Sequence, residues 1–388
     1  MGENFMETAL FHRRSFPVSP VAALRKRNGC APAMIRLLLW RTRLCIVGAL
    51  SKRDYGMGER LVVTTMKDEG PFILEWVAWY LMLGFDHIVI LYNDCTDHSP
   101  WLLTALDAEG LITALPYAAE PDRPVKQTAL RLIREHPRVQ EAEWVFPIDV
   151  DEFLVIHKGD GLLEDLIDAF EPERTHGIAV HWRCFGSAGY ASWSDELTHR
   201  RFLLSSEHQH NCNVFFKTLI RWPRDFKKIG VHSPRRWNGE GSWGTAPNLM
   251  RRCDGRVMRG YHPNQSKISM TPAAWITHEY AQLNHYAVRT PESYALKRGT
   301  PSSAAGRDRY TEAFYRGKNR NEIEDDSALK YADRFDAVYE EITSEPKLMR
   351  LHHQCCMDYV ERLGRANGFE AKDDPRWQHH RTEAARLR

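Results

Sequence analysis

Three acids stand in the run VFPIDVDEFLVI, Val145 to Ile156: Asp149, Asp151 and Glu152. Carboxylates are costly to place in so apolar a stretch without a counter-charge. On a regular strand residues i and i+2 share a face, so Asp149 and Asp151 would point together while Val150 faces the core. Two hard oxygen ligands suit magnesium or manganese, which keep open positions for water and phosphate oxygens. A cation held there would neutralise a departing diphosphate. Taken alone a DxD is weak, because it recurs by chance and can mark only a strand end.

The elements around it raise its weight. LVVTTM, from Leu61, has the β-branched composition of a buried strand. KDEG breaks it, and Pro71 opens the apolar helix FILEWVAWYLML, which stops at Gly84. HIVILY, His87 to Tyr92, is a second strand and ends in the polar turn NDCTDHS. A helix through Trp101–Ala108, the strand LITAL and a helix from Val125 to His136 then lead to the acid-bearing strand. This β-α-β-α-β-α-β order predicts an α/β fold whose mostly parallel sheet is flanked by helices.

Ligands of such sheets bind beyond the carboxyl ends of the strands. That rule places Lys67-Asp68-Glu69, Asn93-Asp94 and Asp149-Val150-Asp151 on one rim. No GxGxxG or P-loop cradle is present, so bound phosphates need another counter-charge, and a divalent ion is the natural one. Downstream come a helix at Leu162–Phe170, the strand GIAVHW, and an antiparallel, loop-rich, aromatic region over 198–260. Asp333 to Ala366 reads as helices, and the polar tail after Lys372 as frayed.

A chain of 388 residues, 43% hydrophobic and 27% charged, can bury a large core. Residues 1–60 hold 11 Lys/Arg against 4 Asp/Glu, and the rest holds 42 against 47. The acidic body excludes a general nucleic-acid binder. Eight scattered cysteines without a CxxC fit a reducing, cytoplasmic compartment and argue against a zinc module. Met34 to Leu50 is apolar, but Arg36, Arg41 and Arg43 make it too charged to span a membrane. The open readings for it are a basic helix lying at an anionic inner membrane face, disorder, or a place upstream of the true start at Met57.

Four stretches then carry a resemblance: KDEGPFILEWVAWYLMLGFDHIVILYNDCTD, PIDVDEFLVI, HWRCFGSAG and LNHYAVRTPESYALKRG. Together they resemble the bacterial glycosyltransferase family-two-like proteins, of the nucleotide-diphospho-sugar transferase fold called GT-A, over about residues 60–345. The resemblance implies sugar transfer from a UDP- or GDP-sugar to a hydroxyl of a glycan or lipid-linked acceptor, with inversion, with manganese or magnesium, and in surface polysaccharide or glycoconjugate synthesis. It implies a basic extension over 1–59, a GT-A domain over 60–330 split at 155/156 into nucleotide-binding and acceptor halves, and helices with a tail over 331–388.

Carried onto this sequence, it places Asp149 and Asp151 at the metal and diphosphate, with His285 completing the metal shell and His232 as the alternative. Asn93 and Asp94 would hold the base or ribose, with Thr65, Lys67 and Glu69 beside the nucleotide. Lys297 and Arg298 would clamp the diphosphate, as would Lys126, Gln127 and Arg131 if their helix is not merely a solvated face. Gly186 and Gly189 would pass close to the sugar, or form a plain tight turn. An inverting transferase needs a carboxylate to take the acceptor's proton; Asp195 is the first candidate, then Glu196 and Glu240. Glu75 reads as internally paired, His208–His210 as no metal pair, and His352-His353 and His379-His380 as surface. The second turn reads His98-Ser99 where many relatives carry Gly-Thr. Two other readings stay open: a nucleotidyltransferase, which lacks its early glycine- and arginine-rich loop here, and an inactive sugar-binding module on the same fold.

Overall fold

The structure, a computed structural model, describes residues 58–120, 123–170, 175–265, 268–300 and 308–387. Most of the basic extension and the Met34–Leu50 stretch lie outside these residues. Among the described residues no helix is long and apolar enough to cross a membrane.

Apolar and β-branched runs suit a pleated surface buried on both faces, and they form the strands here. β1 (Arg60–Met66), β2 (His87–Tyr92), β3 (Thr113–Pro116) and β4 (Trp144–Pro147) pair in parallel in the order β3-β2-β1-β4. The later strands are β5 (Glu152–Ile156), β6 (Gly177–Cys184), β7 (Leu204–Ser205), β8 (Phe216–Arg221), β9 (Phe226–Lys228), β10 (Arg235–Trp237), β11 (Met250–Arg252), β12 (Ala281–His285) and β13 (Ile323–Glu324). The sheet continues from β4 as β8-β6-β12-β5, with β11 also paired to β6. β8 runs against both β4 and β6, and β5 runs against β12. β9 with β10 and β7 with β13 make two small antiparallel pairs.

The acid-bearing run is therefore two strands, not the single one its alternation predicts. β4 ends at Pro147, which has no N–H to extend the ladder. The Glu152 N–H then donates to the Asp149 carbonyl at 3.1 Å, closing a turn. Adjacent in sequence, β4 and β5 lie at separate places in the sheet.

The helix Ile73–Met82 follows Pro71 as predicted and is buried at every residue. It ends before Gly84, whose φ of +93° is left-handed backbone that glycine adopts without strain. Its outer side meets the C-terminal helices: Trp79 stands 5.2 Å and 6.0 Å from the rings of Tyr331 and Phe335. The helices Ala332–Thr343 and Pro346–Asn367 match the predicted helical region. The tail expected to fray is instead the helix Pro375–Arg386, which buries Trp377 and His380 against the preceding helix. His352 and His353 are likewise buried rather than on the surface.

Candidate active site

The helix Ile73–Met82 holds the acid turn from behind. Trp76 Nε1 donates to the Asp149 carbonyl at 3.3 Å, and the Tyr80 hydroxyl to that of Glu152 at 2.9 Å. Glu152 is fully buried and supports its neighbours. Its Oε2 accepts the Asp149 N–H at 2.8 Å and lies 3.2 Å from Lys217 Nζ, while Oε1 accepts Trp182 Nε1 at 2.8 Å. Burial raises its pKa, and Lys217 pulls in the opposite direction.

The positive charge facing Asp149 comes from two lysines. Lys217, on β8 and 1% exposed, reaches Oδ2 at 2.7 Å, and Lys126 contacts Oδ1. Lys126 lies in the first turn of the helix Val125–Glu135, where the helix dipole disfavours a cation. Burial, with Lys217 adding like charge, pushes its pKa down to about 7.

Asp151 has a different set of neighbours. Its Oδ2 is 3.4 Å from Lys297 Nζ and its Oδ1 is 3.7 Å from His285 Nε2. Antiparallel β12 and β5 bring His285 there by pairing it with Glu152, and Tyr286 N–H bonds the Asp151 carbonyl. Burial opposes ionisation of Asp151, yet Lys297, His285 and Arg289 together hold its carboxyl well below the usual range. The His285 ring lies tilted against Trp182, centroids 4.0 Å apart, and its Nδ1 is buried without a partner.

Arg289 completes this side. It is 6% exposed, its guanidinium lies 3.4 Å over the Phe72 ring, and its closest carboxylate, Glu69, stands 3.7 Å away. Its Nε and Nη2 have no hydrogen-bond partner. Burial, opposed by Arg289 and Lys297, raises the pKa of Glu69. Asp68, Asp94 and Arg289, all on rim loops, adopt positive φ. Such strain in non-glycine residues gathers at functional sites.

The remaining expected residues lie around this centre. Thr65 is half-buried near the end of β1 and Lys67 is exposed beyond it. Asn93 is buried, with Nδ2 donating to Asp94 Oδ2 at 2.9 Å. Gln127 is exposed, and Arg131 pairs with Glu120 and Glu135 on the solvated face of its helix. Arg298 pairs with Glu312, and His232 Nδ1 bonds the Phe216 carbonyl. Gly186 closely approaches Asn321 and the Arg320 carbonyl, leaving no room for a Cβ. Glu75 pairs with His199 at 2.8 Å, internally as expected. Glu240 is exposed.

Asp195 pairs with the C-terminal helix rather than with Asp149 or Asp151. Its carboxylate meets His352 Nε2, 3.2 Å from each oxygen, in a small cleft with Pro71, Phe72, Trp193 and Tyr339. Glu196, its neighbour, is 66% exposed and lies 3.4 Å from Arg201.

Asp149, Asp151 and His285 also fail to gather into one three-ligand group among the described residues. The donor chemistry and spacing of Asp151 and His285 fit a divalent ion. Asp149 as it stands does not, because both its oxygens face ammonium groups. Sequence reasoning missed Lys217 and Arg289. Lys217 sits in the apolar alternation of FFKTLI, a lysine where a strand should be buried; that was its available signal. Arg289 lies inside the quoted LNHYAVRTPES stretch but has no periodic pattern to mark it.

Three comparisons with known proteins bear on this geometry. The sequence model of glycosyltransferase family 92 matches residues 63–275, which include both aspartates but end before His285, Arg289 and Lys297. No curated protein matches. Among solved structures, S. aureus TarS 1-349 aligns at TM-score 0.30 and 10% identity over 85% of this chain and 88% of that one. The same figures hold for its complex with UDP. The S. cerevisiae mannosyltransferase Ktr4p aligns at 0.23 and 9%, over 42% of this chain, which spans 52% of Ktr4p. Scores this low bear on no residue's role.

Proposed function

The chain belongs to glycosyltransferase family 92, and on that footing we propose that it moves a sugar from a nucleotide-diphospho-sugar to an acceptor hydroxyl of a glycan or lipid-linked glycan, at the rim built around Asp149 and Asp151. The observation that carries the reading is Arg289: a buried guanidinium with two unbonded nitrogens is costly unless an anion completes it. Arg289 and Lys297 both act on Asp151 and Glu69, so that anion would arrive beside the acid turn.

In this reading the donor diphosphate lies against Arg289 and Lys297, whose fixed charges favour the separating pyrophosphate over the intact sugar ester. Asp151 and His285 would hold manganese or magnesium, a Lewis acid for the leaving phosphate oxygens. Lys126 and Lys217 keep Asp149 neutralised, and Asp149 fixes the turn that aims Asp151. Asn93 and Asp94, just after β2, would take the ribose hydroxyls, with Thr65, Lys67 and Glu69 beside the nucleotide. Transfer with inversion needs one carboxylate base. Asp195 is engaged by His352, so the role passes to the exposed acids Glu196 and Glu240.

The experiment is thermal melting of the full chain with UDP, GDP, dTDP or CMP, each with manganese and with EDTA. A ligand-specific rise in melting temperature that grows with concentration is expected. No rise with any nucleotide would favour an inactive module.

A further inference from the structure

The long helix Pro346–Asn367 backs the rim loops that follow β1 and β2. Arg362 donates to the Asp68 carbonyl at 2.8 Å, Asp358 takes the His98 ring at 2.6 Å, and Cys355 lies against Gly70. On its inner face His352 and Cys356 stand four residues apart, hence side by side. Asp195 reaches them from the loop after β6, so the three come from distant parts of the chain.

Their spacing is long for a single charge-assisted hydrogen bond. His352 Nε2 is 3.2 Å from both Asp195 oxygens, whereas a charge-assisted N–H···O bond settles at about 2.7–2.9 Å. Cys356 Sγ is 3.6 Å from Asp195 Oδ1 and 3.5 Å from His352 Nε2. With bonds of about 2.0–2.3 Å, ligands on a tetrahedral zinc stand about 3.3–3.8 Å apart. The three edges of the Asp195–His352–Cys356 triangle match a tetrahedral face. His353 and His380, with Nδ1 atoms 3.0 Å apart, form a second group around the same carboxylate.

We propose that Asp195, His352 and Cys356 bind a zinc ion that fastens the Pro346–Asn367 helix to the loop after β6, with neither Asp149 nor Asp151 among its ligands. Carboxylate, imidazole and thiolate form a borderline-soft donor set that suits zinc rather than the manganese or magnesium of the rim. On binding, the Cys356 thiol gives its proton to solvent, and one carboxylate with one thiolate balances the doubly charged ion. Asp195, with its side chain 32% exposed, gives the ion a way in. A mixed site with one cysteine has no CxxC signature, so the cysteine spacing that argued against a zinc module could not report it.

The test is cobalt(II) titration of the EDTA-treated full chain, followed by its absorption spectrum. One equivalent should give a thiolate-to-cobalt charge-transfer band that Cys356→Ser abolishes. Cys355→Ser, at the adjacent position, and Cys95→Ser, in the separate Asp68–Cys95–Asp97 group, should keep it. No band in the unaltered chain, or a band that survives Cys356→Ser, overturns the proposal. If Cys356→Ser does not fold, Asp195→Asn replaces it: at least tenfold weaker cobalt binding supports the site, and unchanged affinity refutes it.

Discussion

Lys217 reaches Asp149 from β8, a strand that runs against both its neighbours: Nζ lies 2.7 Å from Oδ2 on β4's outgoing turn, and 3.2 Å from Glu152 Oε2. One buried ammonium thus serves two carboxylates that the sequence sets three residues apart.

Removing that ammonium should cost more than a surface charge would. Lys217→Met leaves Asp149 and fully buried Glu152 without their shared cation. A loss of about 3 kcal/mol in urea-unfolding free energy is expected, typical of breaking a buried pair. A loss under about 1 kcal/mol would mean that Lys126 alone balances the turn.

Arg289→Met should do the reverse. The guanidinium has two unbonded nitrogens, so an apolar side chain of similar length removes a desolvation cost that offsets the lost Phe72 contact and the lost charge beside Glu69 and Asp151. Stability should hold or rise while the melting-temperature gain from nucleotide diphosphates disappears. A retained gain would remove Arg289 from the diphosphate site.

Gly70→Ala tests how closely the C-terminal helix approaches the rim. A Cβ at Gly70 would stand 2.4 Å from Cys355 Cβ and 2.6 Å from its Sγ. About 1–3 kcal/mol of destabilisation follows from such overpacking. The variant's unfolding midpoint checks it.

Glu75 supplies an acid-sensitive contribution. Burial raises its pKa, but the His199 ring and the backbone N–H groups of His199 and Thr198 outweigh this and leave it depressed. Stability from a depressed carboxyl is present above its unfolded value, near 4.5, and is lost as pH falls through the folded value. Glu75→Gln should therefore be less stable than the parent near neutrality, with the gap narrowing below about pH 4.5. A constant gap would deny the linkage.

The parallel half of the sheet was legible because periodicity and punctuation agree there. HIVILY is a strand from His87 to Tyr92 as read, and Pro71 and Gly84 bracket a buried helix. The break between β4 and β5 was not, because β5 pairs with β12, more than a hundred residues later. An apolar run states burial but not which strand it joins. Lys217 was hidden for the same reason, because it arrives from a strand whose order no local pattern fixes; His285 was reached only through the resemblance. The Pro375–Arg386 helix was missed because its weak apolar content, chiefly Trp377, becomes a core face only against its neighbour.

The most direct test is turnover itself. UDP-, GDP-, dTDP- and CMP-sugars would be incubated with the full chain and manganese, and nucleotide release followed for the parent and for Asp151→Asn. The account predicts release from one nucleotide class, stopped by EDTA and reduced at least a hundredfold in Asp151→Asn. Full turnover in Asp151→Asn, or none from any sugar in the parent, would contradict it.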